Sequence, residues 1–174
     1  MSRFILSFIL FCTIGINVCF AQKEKNTTII LIRHAEKDTT QQGSTMMVAN
    51  PPLSEVGKKR AVRLIAVLKD YQPSSILSTN YTRTIATVTP LAEKFGKTIQ
   101  LYDPKKLPAL ADSLLQLQQQ TIVVAGHSNS TPALVNLLIK ENKYPALDES
   151  VYNMIWIVTV DPNKKVSVIT KTYE

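Results

Sequence analysis

The 174-residue chain contains two histidines, and each of them follows a stretch of sequence typical of a buried strand. His34 comes just after the β-branched run Thr27 to Ile32, and His127 comes just after the apolar run Thr121 to Ala125. Ligands of open α/β folds bind beyond the carboxyl ends of parallel strands, which meet at one edge of the sheet. We therefore expect the two imidazoles to lie close together at that edge.

Two arginines occur at the same predicted edge. Arg33 precedes His34, and Arg83 follows the short predicted strand Ser75 to Ser78. A guanidinium pairs with two phosphate oxygens at once. A neutral imidazole is a competent nucleophile, and a second imidazole donates hydrogen bonds when charged. These residue types predict phosphoryl transfer in which His34 attacks phosphorus. The equatorial oxygens would then be held by Arg33, Arg83 and His127.

The rest of the sequence must supply the elements that position these side chains, and it alternates between strand and helix patterns. A helix is predicted over Ser54 to Lys69 with Ser54 as its N-cap. Backbone N–H groups near Ser128, at the start of a later predicted helix, would add to the anion pocket. The other predicted elements are helices over Tyr81–Phe95, Leu107–Gln119 and Thr131–Lys140 and strands over Thr98–Leu101, Met154–Val160 and Val166–Thr172. This alternation predicts a three-layer α/β/α sandwich with a central, mostly parallel sheet.

The first 21 residues differ from the rest and are typical of a secretory signal peptide. Arg3 precedes an apolar stretch from Phe4 to Phe20, and cleavage is predicted after Ala21. We therefore predict a signal peptide over 1–21 and one domain over 22–174, exported to the periplasm or the cell exterior without stable membrane insertion after cleavage. The alternatives are an uncleaved membrane anchor and a lipid anchor on Cys19.

Composition excludes several classes of function. Both cysteines, Cys12 and Cys19, lie in the predicted signal peptide, so the mature chain has no disulfide, thiol nucleophile or cysteine-ligated metal. Two histidines without clustered aspartates predict no metal site. The formal charge of +7 favours anionic ligands but is equally typical of scattered surface lysines. Because the lysine pairs are not interleaved with aromatic residues, no nucleic-acid partner is expected.

Four segments resemble, in order, the motifs of the histidine phosphatase superfamily, whose members include phosphoglycerate mutases and small phosphatases. Arg33-His34-Ala35-Glu36 resembles the family's Arg-His-Gly-Glu signature, with alanine in place of glycine. The other matching segments are 53–57, 78–83 and 126–129. The likeness extends from residue 27 to about residue 172, and the compact size resembles the small phosphatase branch. It implies that His34 is the phosphorylated nucleophile and that Arg33, Arg83 and His127 complete the phosphate pocket.

The resemblance leaves the general acid open. One branch of the family places an acid directly after the second histidine, where this chain has Ser128. The other branch uses a glutamate some distance after the pocket arginine, and the equivalents here are Glu93 and Asp103. Asp103 is preferred because it follows a predicted strand. The alternatives are an ordinary turn residue at this position and, as in some small members of the family, no such general acid at all. Glu36 is expected to orient a pocket arginine and so to assist substrate binding, with a solvated loop charge as the alternative.

The sequence therefore predicts an exported, metal-independent and cofactor-free phosphatase that hydrolyses a small phosphorylated substrate through a phosphohistidine on His34. The alternative from another class is an exported phosphate-binding module of the same fold without turnover. A serine esterase elbow around Ser128 is disfavoured because Ser130 replaces its final glycine and no histidine follows. A mutase is disfavoured because so short a mature chain has little room for a closing lid.

Overall fold

Six strands form one sheet in the part of the chain that the structure, a computed structural model, describes, namely residues 25–40 and 50–173. The strands are β1 (Thr27–Arg33), β2 (Ser75–Thr79), β3 (Ile99–Tyr102), β4 (Thr121–Gly126), β5 (Met154–Val160) and β6 (Val166–Thr172). Their order in the sheet is β3-β2-β4-β1-β5-β6. The first four strands pair in parallel, β5 pairs antiparallel with β1, and β6 pairs antiparallel with β5. The predicted fold class is thereby confirmed.

The central strands are hydrophobic on both faces because helices cover both sides of the sheet. In β1, Ile30 and Ile32 enter one core cluster, and Ile29 and Leu31 enter the other. All four side chains are fully buried. Successive side chains of a strand point to opposite faces, so an unbroken apolar run is the pattern expected of a strand buried between two helical layers.

The described helices lie in two layers. α1 (Glu55–Val67) and α2 (Thr82–Phe95) pack on one face, and α3 (Leu107–Gln116) and α4 (Ser130–Ile139) pack on the other. Ser54 caps α1 as predicted, since its hydroxyl accepts a hydrogen bond from the Gly57 N–H at 3.1 Å. α2 continues through Pro90 without ending there.

The end of α3 is the helix boundary that differs most from the prediction. α3 ends at Gln116 and not at Gln119, because the backbone becomes extended at Leu117 with ψ of 149°. The Leu117 carbonyl accepts a hydrogen bond from the Thr27 hydroxyl at 3.0 Å, and Gln119 has a φ of 53°. The contact with Thr27 and the backbone turn at Gln119 direct the chain toward β4, and a helical pattern of leucines carries no information about either.

The predicted signal peptide over 1–21 and its cleavage site lie outside the described residues. Within residues 25–40 and 50–173, none of the helices combines the length and the apolar character needed to cross a membrane.

Candidate active site

The carboxyl ends of β1, β2 and β4 meet at one edge of the sheet and bring His34, Arg83 and His127 together there. Arg33 at the end of β1 is in register with Gly126 at the end of β4. The His34 N–H donates to the Gly126 carbonyl at 2.9 Å. The rings of His34 and His127 consequently lie edge to face, with their centroids 5.4 Å apart. Strand register thus explains why two residues so distant in the sequence share one site.

His34 lies at the floor of the site, where its side chain has a defined tautomer. The residue is 3% exposed. Its Nδ1 is 2.8 Å from the Ala35 carbonyl oxygen, which can only accept a hydrogen bond, so Nδ1 carries the proton. The lone pair is therefore on Nε2, which accepts a hydrogen bond from Arg83 Nε at 3.2 Å.

Burial and neighbouring charges keep His34 neutral. Burial lowers the pKa of His34 to about 4, and the charges of Arg83 and Arg33 act in the same direction. The hydrogen bond to the Ala35 carbonyl raises the pKa but does not outweigh these effects. Because the ring stays unprotonated near neutral pH, the Nε2 lone pair is available for nucleophilic attack.

Arg83 is in the first turn of α2, and its helix is tied to the backbone that carries His34. The Thr87 hydroxyl donates to the Arg83 carbonyl at 2.7 Å and accepts from the Ala35 N–H at 2.9 Å. The guanidinium also lies over the ring of Tyr81, 4.8 Å from its centroid. These contacts place the guanidinium beside Nε2 of His34, where it can pair with an anion that approaches that atom.

His127 forms one wall of the site. Its Nε2 is 3.0 Å from the Thr79 hydroxyl, and its ring meets the Tyr81 ring edge to face at 4.8 Å. Burial lowers the pKa of His127 to about 4, with the charges of Arg83 and Arg33 adding to the effect. His127 is therefore neutral near neutral pH and donates through a single ring N–H, and not as the charged imidazole expected from the sequence.

Arg33 is buried beneath the site and holds a loop of the cleft wall. Its guanidinium is 1% exposed. Nη1 donates to the carbonyls of Asp148 and Val151, both at 2.8 Å, and Nη2 is 3.2 Å from the carboxylate of Glu149. The guanidinium also stacks on Tyr152 at 4.1 Å from the ring centroid. Arg33 therefore contacts the connection between α4 and β5, and only its Nη2 is directed to a side-chain anion.

These residues border an open cleft of about 490 Å³, a volume within the usual range of small-molecule sites. Ser128 lines the cleft, and its hydroxyl donates to the Glu149 carboxylate at 3.0 Å. The cleft is lined by His34, Lys37, Tyr81, Arg83, Pro104, Lys105, His127, Ser128, Asn129, Ser130 and Glu149. Cations and hydrogen-bond donors dominate this lining, so the cleft suits an anionic ligand.

Three predicted site residues do not line the cleft, namely Arg33, which is buried beneath it, Asp103 and Glu36. Asp103 follows β3 as expected, but its carboxylate accepts from the Lys105 N–H at 2.9 Å and so closes a turn. Glu36 does orient an arginine, but that arginine is Arg60 and not a pocket residue. The two side chains form hydrogen bonds of 2.8 to 3.0 Å. Burial alone would raise the pKa of Glu36, but Arg60 outweighs it and holds that pKa below its usual value.

Glu149 is the acidic cleft residue that sequence reasoning missed, as it also missed the cleft residues Lys37, Tyr81 and Lys105. It lies in the irregular connection between α4 and β5, where no periodicity or motif marks it. One signal was available, because β5 is antiparallel to β1 and Ile155 near its start is opposite Ile32 near the end of β1. Residues just before a closing antiparallel strand therefore reach the same edge of the sheet as the histidines.

In the described parts of the chain, no group of three or more histidine, aspartate or glutamate side chains is placed to hold a metal ion. The site's positive charge comes from protein cations, chiefly Arg83, Arg33 and Lys37.

Comparison with known proteins supports one family. Residues 29–113 match the family model of the histidine phosphatase superfamily, branch 1. No curated protein matches the sequence.

Solved structures share the fold at low sequence identity. A mycobacterial glucosyl-3-phosphoglycerate phosphatase superposes with a TM-score of 0.64 and 16% identity, over 86% of this chain and 99% of that one. The protein histidine phosphatase SixA, complexed with tungstate, gives a TM-score of 0.65 and 13% identity, over 83% and 96%. A protein described as mycobacterial hydrolase 1 gives a TM-score of 0.64 and 14% identity, over 86% of this chain and 98% of that one. At these identities the likeness shows the fold alone.

Proposed function

The chain belongs to the histidine phosphatase superfamily, and we propose that it is an exported, metal-independent phosphatase that hydrolyses phosphomonoesters through a phosphohistidine on His34. The family match and the fold support phosphatase activity in general. We propose in addition that the reaction has a covalent intermediate, needs no metal ion, takes place outside the cytosol and acts on a small phosphorylated substrate.

The state of His34 is the observation that carries the proposal. The ring is buried and neutral, Nδ1 is bonded to the Ala35 carbonyl, and Nε2 faces the guanidinium of Arg83. A phosphoryl group entering the cleft would take over the Arg83 hydrogen bond and bring phosphorus to the Nε2 lone pair. Arg83 and the N–H of His127 would then stabilise the equatorial oxygens as Nε2 attacks. Water would hydrolyse the phosphohistidine in the second step.

Protein cations support a mechanism without a metal ion. The cleft holds Arg83, Lys37 and Lys105, and Arg33 lies directly behind it. Guanidinium and ammonium groups stabilise the charge of a transferring phosphoryl group in the way that a metal ion otherwise does.

Export is proposed from the sequence of residues 1–21, and it restricts the substrate. An exported phosphatase does not meet cytosolic phosphoproteins, so a small phosphomonoester or a phosphorylated envelope component is proposed. The test of processing is N-terminal sequencing of exported protein, which should begin at Gln22. Recovery of the intact chain in the membrane fraction would support an anchor instead.

The activity is tested with the purified mature chain against a panel of phosphomonoesters that includes nitrophenyl phosphate. We expect turnover by the wild type and none by His34→Ala or His34→Asn, because no covalent intermediate can form. Thermal unfolding of both variants checks that they fold. A wild type that binds phosphate or vanadate but turns over no ester would favour the phosphate-binding module. A folded His34→Ala variant with unchanged turnover would refute the phosphohistidine.

A further inference from the structure

We propose that Glu149 is the general acid of this site and protonates the leaving-group oxygen when His34 takes the phosphoryl group. The assignment rests on the proposed phosphatase function. It concerns a residue outside both positions at which the resemblance led us to look for an acid, directly after the second histidine and after the pocket arginine.

Elimination is the first support. Among the described residues that line the cleft, Glu149 is the only one with a carboxylate. The carboxylate of Asp103 closes a turn on Lys105, and that of Glu36 is held by Arg60. Glu93 is on an exposed part of α2 and does not line the cleft. A general acid must come within hydrogen-bond reach of the leaving oxygen, and Glu149 already occupies the cleft.

Position is the second support. His34 is 3% exposed at the floor of the cleft, whereas the side chain of Glu149 is 66% exposed at its mouth. In an in-line displacement the leaving oxygen departs on the side of phosphorus opposite the nucleophile. With the nucleophile at the floor, the ester oxygen must therefore point toward the mouth, where the Glu149 carboxylate accepts a hydrogen bond from the Ser128 hydroxyl.

The loop that carries Glu149 is anchored from below. Arg33 Nη1 bonds the carbonyls of Asp148 and Val151, one on each side of Glu149. The Leu147 N–H donates to the Ser128 carbonyl at 2.8 Å, next to His127. Because these bonds involve the backbone, the carboxylate can leave its present partners while the loop keeps its place at the cleft.

The charges around Glu149 set its protonation. Partial burial raises its pKa, but the Ser128 hydrogen bond and the charges of Arg33 and Lys37 outweigh that effect and hold the pKa below its usual value. The other charged or titratable groups facing it are Arg83 and Tyr152, together with the neutral imidazoles. A bound phosphoryl group would compete for Arg33 Nη2 and add negative charge, so Glu149 would take up the proton that a phosphomonoester monoanion brings.

The proton and electron balance then closes over two steps. The bond from Nε2 to phosphorus forms while the ester P–O bond breaks, and the leaving oxygen takes the electron pair and the proton of Glu149. In the second step the Glu149 carboxylate accepts a proton from the attacking water. The P–N bond breaks, its electron pair returns to Nε2, and Glu149 passes its proton to the departing phosphate, which leaves the carboxylate ionised for the next substrate monoanion.

The test compares kcat/KM of the wild type and Glu149→Gln for an alkyl phosphate and for nitrophenyl phosphate. General acid assistance is worth roughly 10²–10⁴-fold when the leaving oxygen must be protonated. We expect a loss of that size with the alkyl ester and a change of only a few-fold with the nitrophenyl ester, whose leaving group needs little help. Glu149→Asp, which keeps an acid, should recover part of the alkyl activity.

Two further variants complete the design. Glu141→Gln removes an exposed carboxylate from the same connection between α4 and β5, and it should leave both rates unchanged. Asp103→Asn tests the rival acid, and a selective loss of alkyl activity in that variant would overturn the assignment to Glu149.

Several outcomes would overturn the proposal while leaving the phosphatase intact. They are equal losses for both esters, no loss for either, or a wild type that does not hydrolyse alkyl phosphates at all. If Glu149→Gln instead binds phosphate more tightly and keeps the wild-type preference between the two esters, Glu149 competes with phosphate for the cations of the cleft and does not act as the acid. Failure of the proposed function itself is recognised separately, because nitrophenyl phosphate turnover would then be absent in the wild type or independent of His34.

Discussion

Replacing Gly57 with alanine should damage both the stability of the protein and the geometry of the site. Gly57 is buried in the first turn of α1 and lies directly against the backbone of Glu36, two residues after His34. A Cβ atom at this position would overlap the Glu36 carbonyl oxygen and lie 3.0 Å from its nitrogen. A backbone group cannot move aside by changing rotamer, so the segment that carries His34 must shift.

The size of the effect follows from three terms. Overpacking a tight contact costs about 1–3 kcal/mol. The Glu36 carbonyl also accepts from the Ser54 N–H at 2.9 Å, and losing that bond costs about 1 kcal/mol. The better helix propensity of alanine returns at most about 1 kcal/mol. We therefore expect a net loss of about 1–4 kcal/mol in the free energy of unfolding. For a domain of this size that lowers Tm by roughly 2–16 °C.

The assay is thermal or urea unfolding together with kcat/KM for nitrophenyl phosphate. A displacement of about 1 Å at a catalytic group can cost about 10²-fold in rate, so kcat/KM should fall by between a few-fold and that amount. Val56→Ala is the matched control, because Val56 is the preceding residue of the same helix and is 59% exposed. It should change stability by no more than about 0.5 kcal/mol. A Gly57→Ala protein with wild-type Tm and wild-type kcat/KM would refute the packing argument.

Three further predictions concern charge. NMR titration of the two imidazoles should give pKa values near 4 for His34 and His127, and a titration near pH 6.5 would contradict that. Because the histidines of the unfolded chain take up protons near pH 6.5, the free energy of unfolding should be at its full value above that pH. It should fall between about pH 6.5 and pH 4, by about 3 kcal/mol for buried His34. Glu36→Gln should lower the free energy of unfolding by about 1–2 kcal/mol, because Arg60 loses a charged partner, and an unchanged urea midpoint would contradict that. EDTA should leave phosphatase activity intact while vanadate inhibits it, and loss of activity in EDTA with rescue by a divalent ion would contradict a mechanism without metal.

Residues next to buried strands are the part of the site that sequence reasoning places well. An unbroken β-branched run predicts a central strand, and the residue that follows it must lie at the sheet edge whatever the rest of the chain does. His34 and His127 are therefore brought together by the register of β1 and β4. Ser54 and the fold class follow from equally local patterns.

Side chains in connections are less predictable, because their direction depends on partners far away in the sequence. Glu36 turns toward Arg60 on α1, and Asp103 turns back onto Lys105, so neither carboxylate enters the cleft. Glu149 enters it because Arg33, more than a hundred residues earlier, holds the carbonyls on either side. Neither hydrophobic periodicity nor a family motif encodes those contacts.

The central claim is that His34 carries the phosphoryl group through Nε2, and it is tested most directly by trapping that intermediate. Wild-type protein is mixed with a slowly hydrolysed phosphomonoester, quenched in base within one turnover, digested and analysed by mass spectrometry and ³¹P NMR. Because Nδ1 is bonded to the Ala35 carbonyl, the account predicts one phosphoryl group on His34, attached to Nε2. A phosphoryl group on His127 or Ser128, or turnover without any covalent phosphoprotein, would contradict it.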